Sequence, residues 1–165
     1  MNEKRFLAIV ALAFLGTQSS ALMLAPLLVS IADEFDTSVA MAGQVATATF
    51  VAWAISVVSV GPFSDYFGRR PVALIGLTLL AVGAFGSALS PNLATLMVMR
   101  VATGFGGGMI PPNGMAAVAD VVPVERRAKV IGGLLAVTTA SQVIGLPMVA
   151  WVADLGGWRA PFVVV

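Results

Sequence analysis

The chain has 165 residues, 59% of them hydrophobic and only 10% charged, with a formal net charge of +1. Soluble domains carry about 25% charged residues to face water, so a chain this poor in charge reads as one dissolved in lipid, and its balance points to no nucleic acid. It contains no Cys and no His, which removes disulfide frameworks, thiol nucleophiles and histidine relays, so neither a metal centre nor a cofactor is expected.

Stretches free of Asp, Glu, Lys and Arg mark the candidate helices, since a membrane-spanning helix needs about 20 mostly apolar residues. They read as about 6–31, 40–62, 71–89, 93–119 and 130–153, with a truncated sixth helix from about 161. The expectation is an all-α membrane protein forming a single transmembrane bundle over residues 1–165. The first span opens like a cleavable signal peptide, with Lys4-Arg5, an apolar run to Gly16 and then Ser19-Ser20-Ala21. The apolar run continues to Ile31, however, and is long enough to span. Gln18 lies near its middle, where a buried amide needs a hydrogen-bond partner. It either bridges helices or lines a wet substrate cavity. Asp33, Glu34 and Asp36 follow at the mouth of the helix.

The second helix leads into Gly61-Pro62-Phe63-Ser64-Asp65-Tyr66-Phe67-Gly68-Arg69-Arg70-Pro71. Gly61 and Gly68 allow close backbone approach and a tight turn. Arg69 and Arg70 alone would pass as positive-inside anchors, but that role needs neither the glycines nor an acid four residues before Arg69. The segment resembles the G-x-L-A-D-x-x-G-R-K/R signature of the major facilitator superfamily. Gly61, Asp65, Gly68, Arg69 and Arg70 match it, while Phe63 replaces the usual Leu, Ser64 the Ala, and Tyr66 a frequent basic residue.

The resemblance implies the N-terminal six-helix bundle of a major facilitator fold, with its last helix truncated here. It further implies a secondary transporter of the drug:proton antiporter (multidrug efflux) type, working by alternating access. Its partners would be a small-molecule substrate, protons as coupling ion, the lipid bilayer, and a C-terminal half missing from this chain. The charged loop would act as a gating latch. Its acid would meet the second half, and its basic residue would pair with an acid at the end of helix four, where Asp120 stands.

The third span ends at the polar turn Ser90-Pro91-Asn92. In helix four, Arg100 lies roughly 10 Å from the outer end at about 1.5 Å per residue. A guanidinium at that depth costs at least about 2.5 kcal/mol unless it is paired or wet; outward snorkelling is the plainer alternative. Gly104, Gly107, Gly108 and Pro111 share its face, and such small residues allow close helix packing or leave space for a cavity. Arg100-x-x-x-Gly104 resembles the superfamily's helix-four motif, which implies substrate binding or proton coupling. Helix one offers no carboxylate between Phe6 and Ile31 to partner it.

Asp120 to Lys129 is expected to form a longer basic link to helix five. Gln142, near the middle of that helix, has the same two possible roles as Gln18. Gly145-Leu146-Pro147 introduces a helix-bending proline, and Gly156-Gly157-Trp158-Arg159-Ala160-Pro161-Phe162 follows. Trp158 and Arg159 suit an interfacial belt. Together the two segments resemble the antiporter motif of drug:proton exporters in its G-x-P form, which leans toward export. The alternatives are a facilitator or symporter for sugars or organic anions, and a non-transporting membrane scaffold fragment. An intramembrane enzyme fails on inventory, lacking His, Cys, paired intramembrane carboxylates and a Ser with a plausible base.

Charge asymmetry sets the expected orientation. Lys4, Arg5, Arg69, Arg70, Arg126, Arg127 and Lys129 fall on one side and Arg159 on the other, seven against one. The positive-inside bias puts the N-terminus in the cytoplasm of a multi-pass protein, with the plasma membrane (the bacterial inner membrane) as its expected location.

Overall fold

The structure, a computed structural model, describes residues 3–164. It is all-helical among the described residues, with α1 at Glu3–Leu22, α2 at Leu24–Glu34, α3 at Val39–Phe67, α4 at Arg69–Ala88, α5 at Leu93–Val121, α6 at Val124–Gly156 and the short α7 at Pro161–Val164. Five of these, α1, α3, α4, α5 and α6, are long and apolar enough to cross a membrane.

Two expected boundaries need correction. The first span is two helices, broken at Met23, and Pro26 explains why. Proline has no N–H to offer the carbonyl four residues back, and its ring crowds that carbonyl, so the Leu22 carbonyl loses its helical partner just before the break. The expected link from Asp120 to Lys129 is also far shorter, because Val122 and Pro123 alone separate α5 from α6. Arg126, Arg127 and Lys129 belong to the first turns of α6, since charged residues at a membrane surface need not leave the helix. α3, α5 and α6 also run past their expected ends, and α3 continues through Pro62 to Phe67; α4 starts two residues earlier than expected, at Arg69, and stops at Ala88.

Local chemistry sets the turns. Ser38 caps α3 by accepting from Met41 N at 3.1 Å, and Asn92 caps α5 by accepting from Thr95 N at 2.9 Å. Each satisfies one backbone donor that the first helical turn leaves open.

Glycines decide how the helices pack. On α5, a Cβ at Gly104 would run into the Thr49 carbonyl, and one at Gly108 would lie 2.6 Å from the Trp53 carbonyl, both on α3. On its other side, a Cβ at Gly106 would lie 2.5 Å from the Gly76 carbonyl of α4. The small-residue face expected beside Arg100 is thus a seam of close backbone contact, and Gly104, Gly107 and Gly108 leave no cavity. In lipid such contact is a main source of helix association, because burying apolar surface gains little there.

Two apolar clusters lie on either side of the middle of the bundle. One gathers Leu24, Leu27 and Ile31 of α2 with Val45, Leu96, Val149, Trp158 and Phe162. The other gathers Val10 and Phe14 of α1 with Ile110, Val118, Val122 and Leu134. At the end of the bundle where α1 begins, Arg126 of α6 pairs with Glu3 at 3.1 Å.

Candidate functional site

The α3–α4 turn is a single residue. Gly68 donates its N–H to the Ser64 carbonyl at 3.0 Å and adopts φ 91°, a conformation that side chains other than glycine's resist. Arg69 therefore opens α4 directly beneath the last turn of α3. Its Nη1 donates to Asp65 Oδ1 at 3.3 Å and its Nε to Asp120 Oδ2 at 3.2 Å. One guanidinium thereby ties the ends of α3 and α5. Arg70 is exposed and forms no ion pair among the described residues. Gly61 is exposed too, and a Cβ there would meet nothing within 4 Å. Of the two glycines in the signature, only Gly68 does conformational work within this bundle.

Magnitudes say what such a cluster can do. The Asp65 and Asp120 side chains are 72% and 58% exposed, and exposed pairs contribute about 0–1 kcal/mol each. Contacts this weak are readily exchanged for others, which suits a latch better than a structural staple.

Beneath the ion pairs lies a residue that sequence reasoning missed. Asn113 of α5 is 4% exposed. Its Oδ1 accepts from Ser64 Oγ at 2.7 Å, and its Nδ2 donates to the Arg69 carbonyl at 2.7 Å. The available signal was an amide seven residues before Asp120 in an apolar helix, a spacing that returns to the same face.

Arg100 is fully enclosed, at 0% exposure, so it does not snorkel outward. Its Nη2 donates to the Ser20 carbonyl at 2.6 Å and its Nη1 to Ser20 Oγ at 3.4 Å, while Nε has no protein partner. The Phe162 ring lies 5.5 Å from the guanidinium carbon, within the range of a cation–π contact. Arg100 thus reaches α1 just before its break. Gly104 and Gly108 contact α3 instead, so of the two roles open to these glycines the structure shows close helix packing. Gln18 and Gln142 do come together: with Ser141 and Gly145 they line a narrow cleft between α1 and α6 that Arg100 does not enter. Pro147 stands inside the unbroken α6 and is exposed, and a Cβ at Gly145 would meet nothing within 4 Å.

The profile of the Major Facilitator Superfamily matches residues 7–165. The chain belongs to that superfamily. Among its superfamily relatives, the MFS-type transporter YceJ of Bacillus subtilis is 30% identical over 143 residues, covering 87% of this chain and 36% of the relative. The quinolone resistance protein NorA of Staphylococcus aureus is 31% identical over 115 residues, covering 67% of this chain and 29% of NorA. The MFS antiporter QDR3 of Candida albicans is 28% identical over 166 residues, covering 96% of this chain and 23% of QDR3. This superfamily chain therefore spans about a third or less of the length of the curated relatives it matches. A crystal structure of a D-xylose–proton symporter shares its fold, with a TM-score of 0.83 over 96% of this chain and 44% of the symporter at 17% identity. Superfamily membership and the five long apolar helices make this a multi-pass membrane protein.

Proposed function

We propose that this chain is the N-terminal bundle of a secondary active transporter that exports small molecules, drugs among them, in exchange for protons. The observation that carries the reading is the Arg69 bridge between Asp65 and Asp120. It is a weak, exposed charge cluster at a one-residue turn, suited to break and re-form as two halves rock about a central site. The relatives named for quinolone resistance and antiport support export. The seven-to-one distribution of basic residues supports a cytoplasmic N-terminus in the plasma membrane, so the latch faces the cytoplasm. Gln18 and Gln142 would be the polar groups that meet substrate once the cleft between α1 and α6, about 10 Å³ here, widens.

The test is transport by the intact protein that carries this chain, in inverted membrane vesicles with an imposed pH gradient. Quinolones and lipophilic dyes serve as substrates. Accumulation that collapses on adding a protonophore is the expected result. Transport indifferent to the gradient would overturn proton coupling, and no transport of any substrate tried would overturn export.

One observation favours a second reading. Arg100 meets a backbone carbonyl and no carboxylate, so no proton-binding partner for it is evident among the described residues. A facilitator or symporter for organic anions would use that charge on its substrate once α1 moved away and opened the enclosed Arg100. Gradient-independent exchange of a labelled carboxylate would select this alternative.

A further inference from the structure

We infer that Asn113 is a positioning residue, whose side chain closes a hydrogen-bonded ring that aims the Arg69 guanidinium at Asp120. The ring starts and ends on Arg69. Its Nη1 donates to Ser64 Oγ at 3.1 Å, Ser64 Oγ donates to Asn113 Oδ1 at 2.7 Å, and Asn113 Nδ2 donates back to the Arg69 carbonyl at 2.7 Å. The side chain of Arg69 is therefore fixed relative to its own backbone through two residues on two other helices. The ring satisfies both functions of the Asn113 amide, and Ser64 Oγ both accepts and donates.

Burial separates this ring from the ion pairs above it. Ser64 and Asn113 are 3% and 4% exposed, whereas Asp65 and Asp120 stand largely in solvent. A buried amide with its partners in place holds geometry, because each broken link strands a desolvated polar group. The solvated carboxylates can leave Arg69 at little cost, since water takes their place. The ring thus keeps the arginine aimed while the latch changes partners. The amide is specifically suited to this. A carboxylate at position 113 would repel the Arg69 carbonyl and compete with Asp120 for the guanidinium. An alcohol is too short to reach both Ser64 and the carbonyl.

This inference rests on reading the α3–α4 turn as a latch, but its test does not require transport. This chain has no cysteine, so once any cysteines in the rest of the intact protein are replaced, thiols introduced at Tyr66 and Val124, which are 84% and 67% exposed, can carry spin labels across the latch. Distances are read by pulsed electron resonance on the intact protein in lipid nanodiscs. The unsubstituted ring is expected to give one narrow population. Asn113→Leu, which keeps the volume and removes both polar functions, is expected to replace it with a broad, longer-distance distribution. Asp120→Asn should also broaden the distribution, and adding it to Asn113→Leu should broaden it no further. If Asn113→Leu fails to insert, Ser64→Ala opens the ring at another link and must give the same broadening. A narrow distribution in whichever of the two variants folds overturns the inference, even where thermal stability falls. Absence of transport by the unsubstituted protein would instead count against the latch reading alone.

Discussion

Arg159 Nη1 donates to the Glu34 carboxylate at 2.6 Å, joining residues 125 positions apart. The same guanidinium gives a second hydrogen bond, at 3.1 Å, to the Ser90 carbonyl at the α4–α5 turn, and lies 4.3 Å from the Trp158 ring. The end of α2, the α4–α5 turn and the α6–α7 link thus share one cation. Trp158, expected as a belt residue at the membrane surface, is 4% exposed and packs between Phe35 and Phe162, with ring centroids 5.7 Å and 5.9 Å away.

This clasp has a pH signature. Hydrogen bonding from Arg159, opposed by some desolvation and helped by its charge, holds the Glu34 carboxyl below its usual value of 4.5. A folded-state value below the unfolded one means the stabilisation is complete above the unfolded value and lost as pH falls through the folded one. Thermal unfolding in detergent is expected to show a gap between wild type and Glu34→Gln that is constant at neutral pH and closes in acid. A gap that persists after Glu34 protonates would remove the clasp as its cause.

Arg100 separates stability from transport. Arg100→Met keeps much of the volume and discards a buried charge with one unpartnered N–H, so the unfolding temperature is expected to hold or rise, as often when buried charged groups give way to apolar ones. Transport by the intact protein should be lost. Arg100→Lys keeps the charge without the planar fork, with an expected loss of about tenfold or more in rate, about 1.4 kcal/mol. Normal rates in both variants would reduce Arg100 to a packing residue of the α1–α5 contact.

The glycine seam predicts a contrast within one chain. Gly104→Ala and Gly108→Ala press a methyl into the α3 backbone, and overpacking of this kind costs about 1–3 kcal/mol. Gly61→Ala and Gly145→Ala meet open space and should leave the bundle's stability nearly unchanged. Unfolding in mixed micelles checks both pairs, and equal effects at the four positions would refute the seam.

Orientation can be read on the same background, with any cysteines outside this chain replaced. Thiols introduced at positions 127 and 36 fall near opposite ends of the bundle. In sealed right-side-out vesicles an impermeant reagent should label position 36 and spare position 127. The reverse pattern would invert the proposed topology.

The spans were legible because charge is so costly in hydrocarbon that its absence outlines each helix. The break in the first span is hidden in an unbroken apolar run, although Pro26 stands there to signal it. Arg69 and Asp120 could be paired on paper through a family pattern. Asn113 could be put on the Asp120 face by its seven-residue spacing but not paired, since an uncharged amide carries no charge to name its partner. The glycines beside Arg100 show the limit of periodicity. Spacing puts Gly104 and Gly108 on one side of α5 but does not say whether a cavity or another backbone lies opposite. That depends on where α3 runs. Charge alone makes Arg126 to Lys129 look like a loop, although nothing about them opposes a helix.

The seam has a mechanical consequence. Helices that touch backbone to backbone cannot slide or bend past each other without collision, so α3, α4 and α5 form a stiff plate. Phe63, Tyr66 and Phe67 project from the rim of that plate, 56%, 84% and 58% exposed, with Phe63 stacked on Phe67 and Tyr66 edge-on to it. If the plate moves, it moves as a lever. The travel appears at its aromatic rim, against whatever surface lies beyond it, and the buried hydrogen bonds inside the plate ride along while the exposed ion pairs at its end stay free to exchange.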